Sequence, residues 1–128
     1  MGDYPQDLRY TKDHEWARKA GAVVVVGVTA HAQEALGDVV YVELPKLGDQ
    51  VRAGEPFGVI ESTKAVSELF APVTGKIVKV NDSLADSPQT VNQDPYGKGW
   101  LVEVEGADPA AFDSLLDAQA YKKLVEAS

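Results

Sequence analysis

Apolar and polar positions alternate over short intervals along most of this chain, and a helical period replaces that alternation in only a few places. The run Ala22-Val23-Val24-Val25-Val26-Gly27-Val28 follows a turn glycine at Gly21. It is continuous and β-branched, which predicts a strand buried on both faces. Val39-Val40-Tyr41-Val42-Glu43-Leu44 predicts another, stopped by Pro45 and a turn at Lys46-Leu47-Gly48-Asp49. Phe57 to Ile60 and Val66 to Ala71 predict a strand pair, and the small, polar Glu61-Ser62-Thr63-Lys64-Ala65 between them reads as its hairpin connection. Ile77 to Val80 and Trp100 to Glu105 alternate as further strands, and Gly106 ends the second. A short edge segment is expected around Leu8 to Thr11.

Helical signals are brief. Thr29 can cap a helix over Ala30 to Leu36, and Gly37 can close it. Ser87-Pro88 pairs a cap residue with proline at a first helical position, so a short helical turn is expected there, and Asp94 to Gly99 reads as a loop. Asp108-Pro109 opens a segment in which Phe112, Leu115, Leu116, Tyr121, Leu124 and Val125 recur at helical spacing and should pack against the sheet. The spacing Pro-x-x-Gly occurs at Pro45 and Gly48 and again at Pro72 and Gly75, each time before an alternating segment. That is a mild sign of two similar halves.

A chain of 128 residues suits one core. The expectation is a single domain over 1–128, with its core at about 10–106 and a helical segment at 108–127. Charged residues at 25% and hydrophobic ones at 45% match an ordinary soluble globular protein, so function has to come from particular sites. The formal charge of -8 repels phosphate backbones and anionic lipid, which argues against nucleic acid and membranes as partners and suits basic patches on other proteins. There is no cysteine, so disulfides, thiolate metal sites and a cysteine nucleophile are excluded. No apolar run approaches the roughly 20 residues that span a bilayer. The start, Met1-Gly2-Asp3-Tyr4-Pro5, is neither a secretory signal nor an arginine-rich transit peptide, and Gln6 stands where a myristoylation motif wants Ser or Thr. These features favour a bacterial cytoplasm, or the mitochondrial matrix if the source is eukaryotic.

Lys64 is the first candidate site, because it stands at a hairpin tip among small neighbours where a modifying enzyme can surround it. Acylation needs its neutral amine, and a lysine in water is protonated, so the modifying enzyme must take the proton. A solvated turn lysine is the competing reading. His14-Glu15 and His31-Ala32-Gln33-Glu34 hold the only histidines. Two histidines and two carboxylates can bind zinc, but no ligand-dense motif surrounds either, and no metal is expected. Gly97-Lys98-Gly99 precedes a strand, whereas a phosphate cradle leads from a strand into a helix, so it reads as a tight turn. No nucleophile elbow, Ser/His/Asp set or paired catalytic carboxylates are visible, which disfavours an independent enzyme.

Glu61-Ser62-Thr63-Lys64-Ala65, with Gly75 eleven positions after the lysine, resembles the attachment hairpin of lipoyl-carrying domains. More specific are Tyr10-Thr11 with His14-Glu15-Trp16, Ala32-Gln33 with Leu36-Gly37-Asp38, Val42-Glu43-Leu44-Pro45, and Val91 to Trp100. Together these resemble the H-protein family of the glycine cleavage system, from about Tyr10 to the C-terminal helices.

The resemblance implies a mainly β barrel-sandwich hybrid of two antiparallel sheets with short added helices, and lipoic acid carried covalently on Lys64. It implies a shuttle, not an enzyme. The lipoyl arm accepts the aminomethyl group from glycine decarboxylase, delivers it to aminomethyltransferase and is reoxidised by dihydrolipoyl dehydrogenase, and a lipoylating enzyme is a fourth partner. A monomer is the expected form. Glu61 and Glu68 are candidates for recognition by the lipoylating enzyme, and Glu15 is the candidate in an arm-docking cleft, where a carboxylate compensates an aminomethyl cation. Tyr10 to Trp16, the helix near His31 and the Asp94 to Trp100 loop are expected to form the wall on which the arm rests. Family contacts made by an aspartate or a second histidine do not carry over to Ala30 and Ala35. Three rivals stay open: a biotin carboxyl carrier, which usually has methionines beside its lysine where Thr63 and Ala65 stand; a lipoyl domain of a 2-oxo acid dehydrogenase, which normally has flexible linkers; and a binding module whose lysine is never modified.

Overall fold

The computed structural model of the protein describes residues 4–127. Met1 to Asp3, read above for a leader or acylation signal, lie outside the described residues.

Two antiparallel sheets face each other and are not closed into a barrel. The larger contains β1 (Arg9–Tyr10), β2 (Glu15–Ala20), β3 (Val23–Val28), β5 (Gln50–Val51), β8 (Gly75–Val80) and β9 (Val102–Glu105), in the order β1-β2-β3-β9-β8-β5. The smaller contains β4 (Val39–Glu43), β6 (Pro56–Ser62) and β7 (Val66–Phe70), in the order β4-β6-β7. The helices are α1 (Ala30–Leu36), α2 (Ser83–Asp86), α3 (Thr90–Gln93), α4 (Pro109–Asp113) and α5 (Ala118–Ala127). The expected strands are therefore present, as is the hairpin of β6 and β7.

Alternation along β3 explains the arrangement. Val24, Val26 and Val28 face the smaller sheet, packing in one core with Val42, Ile60 and Leu69. Val25 faces the other way, into a second core with Leu8, Tyr10, Trp16 and Tyr121. A strand with both faces covered must be apolar throughout, which is why this run carries no polar alternation. The C-terminal helical segment supplies the cover: Phe112 of α4 joins the first core and Tyr121 of α5 the second. Burying side chains of this size stabilises the fold by roughly 1.5–3 kcal/mol each.

Three details go beyond the sequence reading. Glu15–Ala20 is a strand although Ala, Arg and Lys are good helix formers, because β2 pairs with β3 through six residue pairs from Glu15↔Val28 to Ala20↔Val23. Two short helices flank Ser87-Pro88 where one turn was expected, with Ser87 ending α2 and its carbonyl accepting from the Thr90 amide at the entry to α3. The two Pro-x-x-Gly segments converge: β5 and β8 pair directly, the Gly48 amide donates to the Ile77 carbonyl, and the Ile77 amide donates to the Asp49 carbonyl.

Trp16 lies opposite Gly27, and its indole N–H donates to the Pro95 carbonyl at 3.0 Å. A Cβ at position 27 would collide with that ring. The glycine is thus required by packing and not by a left-handed backbone. Gly27→Ala is expected to lower unfolding free energy by about 1–3 kcal/mol, the usual range for overpacking. Urea denaturation followed by tryptophan fluorescence measures it, and an unchanged midpoint would contradict this account of the glycine.

Candidate functional site

The tip joining β6 to β7 is a rigid four-residue turn. The Ser62 amide and hydroxyl both donate to the Ala65 carbonyl (2.8 and 3.2 Å), and the Ser62 hydroxyl oxygen accepts from the amides of Lys64 and Ala65 (3.3 and 3.1 Å). Serine suits this role because its short side chain substitutes for backbone partners in a turn. The Thr63 amide donates to the Asp38 carbonyl at 3.0 Å, pinning the tip to the connection between α1 and β4. Lys64 is exposed at the apex.

Gly37 is the neighbour of that lysine. It closes α1 with φ 81, a conformation that favours glycine, and its amide donates to the Gln33 carbonyl. A Cβ built there would lie 3.2 Å from Lys64 Cε, so the lysine stem passes directly over the helix end. Asn92 holds this region in place. Its side-chain amide donates to Gln33 Oε1 (3.0 Å) and to the Gly37 carbonyl (2.8 Å), and its Oδ1 accepts from the Val39 amide (2.8 Å). One side chain from α3 thereby fixes the C-terminal end of α1 and the start of β4.

Beside the tip runs a cleft of about 280 Å³ between α1 and the β6–β7 hairpin, with Ala65 and Val66 at one end and His14 and Glu15 among its other lining residues. Val28, Leu36, Ile60 and Leu69 give it an apolar floor and sides. A larger cavity of about 520 Å³ shares Glu15 but extends away under α4 and α5 and does not include the tip. The smaller cleft is therefore the one a group on Lys64 can enter. From Val66 to Phe70 the strand rises about 13 Å, in four steps of roughly 3.3 Å, which sets the length of side chain needed to reach from the tip toward Glu15.

Glu15 is 2% exposed. Its Oε1 accepts from the Thr11 hydroxyl at 2.8 Å and its Oε2 from the Phe70 amide at 3.1 Å. Burial pushes its carboxyl pKa up to about 7, with the nearby Asp13 charge adding to the rise, while the Phe70 and Thr11 hydrogen bonds hold it back. Glu61 and Glu68 occupy different ground. In the register Tyr41↔Glu61↔Val66 and Glu43↔Val59↔Glu68 they stand on the outer face of the small sheet, opposite to the face of buried Ile60 and Leu69. The three glutamates are thus not one cluster: Glu15 is buried at the cleft, Glu68 reaches the cleft margin from the outer face, and Glu61 does not line it.

The Asp94 to Trp100 loop, expected in the cleft wall, does not line it. It lies behind the wall as a buttress. The Pro95 carbonyl holds the Trp16 indole, and Tyr96 Oη accepts from the Ala30 amide at 2.9 Å, fixing the start of α1. Its glycines serve this folding, since a Cβ at Gly97 would meet the Asp94 carboxylate and one at Gly99 the Asp94 and Thr90 carbonyls. His14 and His31 come together with ring centroids 4.7 Å apart. Among the described residues no group of three or more His, Asp or Glu is arranged to hold a metal ion. No described helix is long and apolar enough to cross a membrane.

The sequence model for the glycine cleavage H-protein family matches residues 8–128. The chain is 66% identical to the glycine cleavage system H protein of Myxococcus xanthus, over 97% of this chain and 96% of that one. It is 60% identical to the corresponding protein of Anaeromyxobacter sp., over 97% of each chain. The crystal structure of a glycine cleavage system H protein from Mycobacterium marinum superposes with a TM-score of 0.87 at 48% identity, covering 96% of this chain and 99% of that one.

The raised Glu15 pKa makes stability depend on pH with a defined sign. Between the ordinary value of 4.5 and about 7 the folded protein binds this proton more tightly than the unfolded chain does, so stability falls as pH rises through that window. At about 1.4 kcal/mol per pH unit the loss approaches 3 kcal/mol. Glu15→Gln keeps the shape and a carbonyl acceptor for Phe70 but cannot ionise. Chemical denaturation of the unmodified protein across this range should show the slope in the parent and its loss in the variant; parallel profiles would remove Glu15 as its source.

Proposed function

The chain belongs to the glycine cleavage H-protein family, and from that premise we propose that the whole of it acts as one lipoyl-carrier domain, with lipoic acid joined to Lys64 through an amide. The observation that carries this reading is the placement of Lys64: exposed at a turn pinned by Ser62 and Asp38, its stem over Gly37, with a cleft opening beside it. The fit to an acyl group is chemical. A primary amine is accessible, and the neighbouring cleft is narrow and mostly apolar, as suits a hydrocarbon chain ending in sulfur.

When bound on Lys64, a lipoyl group would supply a disulfide able to take up an aminomethyl unit from glycine. The chain's own residues carry and shield. Val28, Leu36, Ile60 and Leu69 bury the hydrocarbon part and exclude water, and Glu15, with Glu68 at the cleft margin, supplies negative charge for a cationic terminal amine. A cation there favours the ionised form of Glu15, so docking reverses part of the effect of burial on that carboxyl. Glu61 and Glu68 beside the tip serve recognition by the lipoylating enzyme.

The remaining partners in this reading are glycine decarboxylase, aminomethyltransferase and dihydrolipoyl dehydrogenase, with the carrier working as a monomer in the cytoplasm of a bacterium. Each partner must draw the arm out of the cleft, so docking should be reversible. The acidic surface suits transient contact with basic patches on such enzymes, where complementary charge raises the rate of encounter.

Intact mass measurement of protein from cells with an active lipoylation pathway tests the attachment. A lipoyl adduct is expected on the parent chain and its loss in Lys64→Ala; a biotinyl shift, or no adduct, would overturn the carrier reading. For the cleft, Glu15→Gln in the lipoylated protein is expected to shorten the lifetime of the aminomethyl-loaded arm about tenfold, equivalent to losing about 1.4 kcal/mol of a charged contact. Release of formaldehyde or ammonia from the loaded protein without partner enzymes reports that lifetime, and an unchanged rate would remove Glu15 from the shielding role.

A further inference from the structure

His14 combines three unusual features. It adopts φ 72, the sole positive value among the described residues other than glycine. L residues rarely take this conformation, though histidine is among those that do so more readily. Its backbone is held on both sides, with the His14 amide donating to the Thr11 carbonyl at 3.1 Å and the His14 carbonyl accepting from the Thr29 amide at 3.1 Å. His14 lines the cleft beside Glu15, and its ring lies against that of His31.

The imidazole is also the end of a buried hydrogen-bond chain. The Ala32 amide donates to Thr29 Oγ1 at 3.1 Å, Thr29 Oγ1 is 2.8 Å from Tyr121 Oη, and Tyr121 Oη is 2.8 Å from His14 Nδ1. Thr29 and Tyr121 are fully buried. Proton positions along this chain follow from satisfying each donor. Among the described residues Tyr121 Oη is the one acceptor within reach of the Thr29 hydroxyl hydrogen, and a buried hydroxyl does not leave its hydrogen unpaired. Thr29 therefore donates to Tyr121. The tyrosine hydrogen is then directed at His14 Nδ1, which must present a lone pair. The opposite order, with His14 Nδ1–H donating to Tyr121 and Tyr121 to Thr29, strands the Thr29 hydrogen.

We propose that the Thr29–Tyr121 relay locks His14 as the neutral tautomer protonated on Nε2, and that this N–H is a second polar contact in the cleft, donated to a sulfur at the far end of the arm. The sulfur assignment rests on the lipoyl-carrier reading; the tautomer does not. Among the described residues Nε2 has no hydrogen-bond partner, and no buried side-chain nitrogen is left unpartnered, so Nε2 reaches solvent and its N–H is available to a guest. A sulfur matches it better than the amide of the arm, because that amide stays near Lys64 at the tip while His14 adjoins Glu15, which is bonded to the distal end of β7. The cleft end then offers a carboxylate for a terminal ammonium and a fixed N–H donor for the neighbouring thiol or thiolate. Burial, and next the His31 ring, lower the His14 pKa, in keeping with a neutral imidazole. His14 is a positioning residue in this scheme.

Nitrogen NMR of protein labelled in its two histidines, at slightly alkaline pH, tests the relay on the unmodified chain. The expected result is His14 with an unprotonated Nδ1 and a proton on Nε2. In Tyr121→Phe, which keeps the ring but lacks the hydroxyl, the two tautomers should mix and the Nδ1 signal should move toward its protonated position. Protonation on Nδ1 in the parent chain, or an identical spectrum in Tyr121→Phe, would overturn the relay. With lipoylation verified by intact mass, the His14 Nε2–H resonance should shift between the oxidised and reduced arm in the parent chain. No shift in a verified lipoylated sample would overturn the sulfur contact. Absence of the adduct would instead overturn the carrier reading and the contact that depends on it, while the tautomer result still decides the relay.

Discussion

The two sheets meet at the Glu15 carboxylate. Glu15 belongs to the large sheet through β2, and the Phe70 amide it accepts belongs to β7, at the edge of the small sheet. An edge strand has backbone groups without ladder partners, and inside a fold these must be satisfied by something else. The second carboxylate oxygen binds Thr11, whose hydroxyl oxygen also accepts from the amides of Asp13 and Glu15. One buried acid thereby closes the seam, shapes the turn that leads to His14, and keeps a polar end on an otherwise apolar cleft.

The rest of the molecule reads as support for that cleft. The tip of the β6–β7 hairpin is tied to Asp38, Asn92 fixes the end of α1, Tyr96 fixes its beginning, and Tyr121 reaches from α5 to Thr29 and His14. Each contact removes freedom from the walls and leaves Lys64 exposed at the tip. A carrier needs this division, since the attached group has to travel while the shelter keeps its shape. It also accounts for the many aromatic side chains of the second core, which act on the cleft from behind and do not line it.

Charge is arranged in the same two ways. Exposed Glu68 and half-buried Glu61 flank the tip, where water screens them. Glu15 sits where water is excluded, and burial raises its pKa. The same side-chain type thus stands in two environments, and burial alone makes the difference.

What could be read from the chain alone was set by neighbours in sequence. The valine run of β3, the hairpin of β6 and β7, the Thr29 and Asp108 caps and the exposed tip at Lys64 all follow from local periodicity and turn chemistry. Distant motifs gave Lys64 its meaning through resemblance, because a lysine in a turn has no chemistry to distinguish it. Tertiary structure decided the rest. Glu15–Ala20 is a strand because β3 offers it an edge, against its own helical preference. Glu15 is buried because β7 closes over it, although a Glu in a polar stretch reads as exposed. The state of His14 depends on a hydroxyl 107 residues away, and no spacing rule connects the two until the sheets and the C-terminal helix bring them within hydrogen-bond distance.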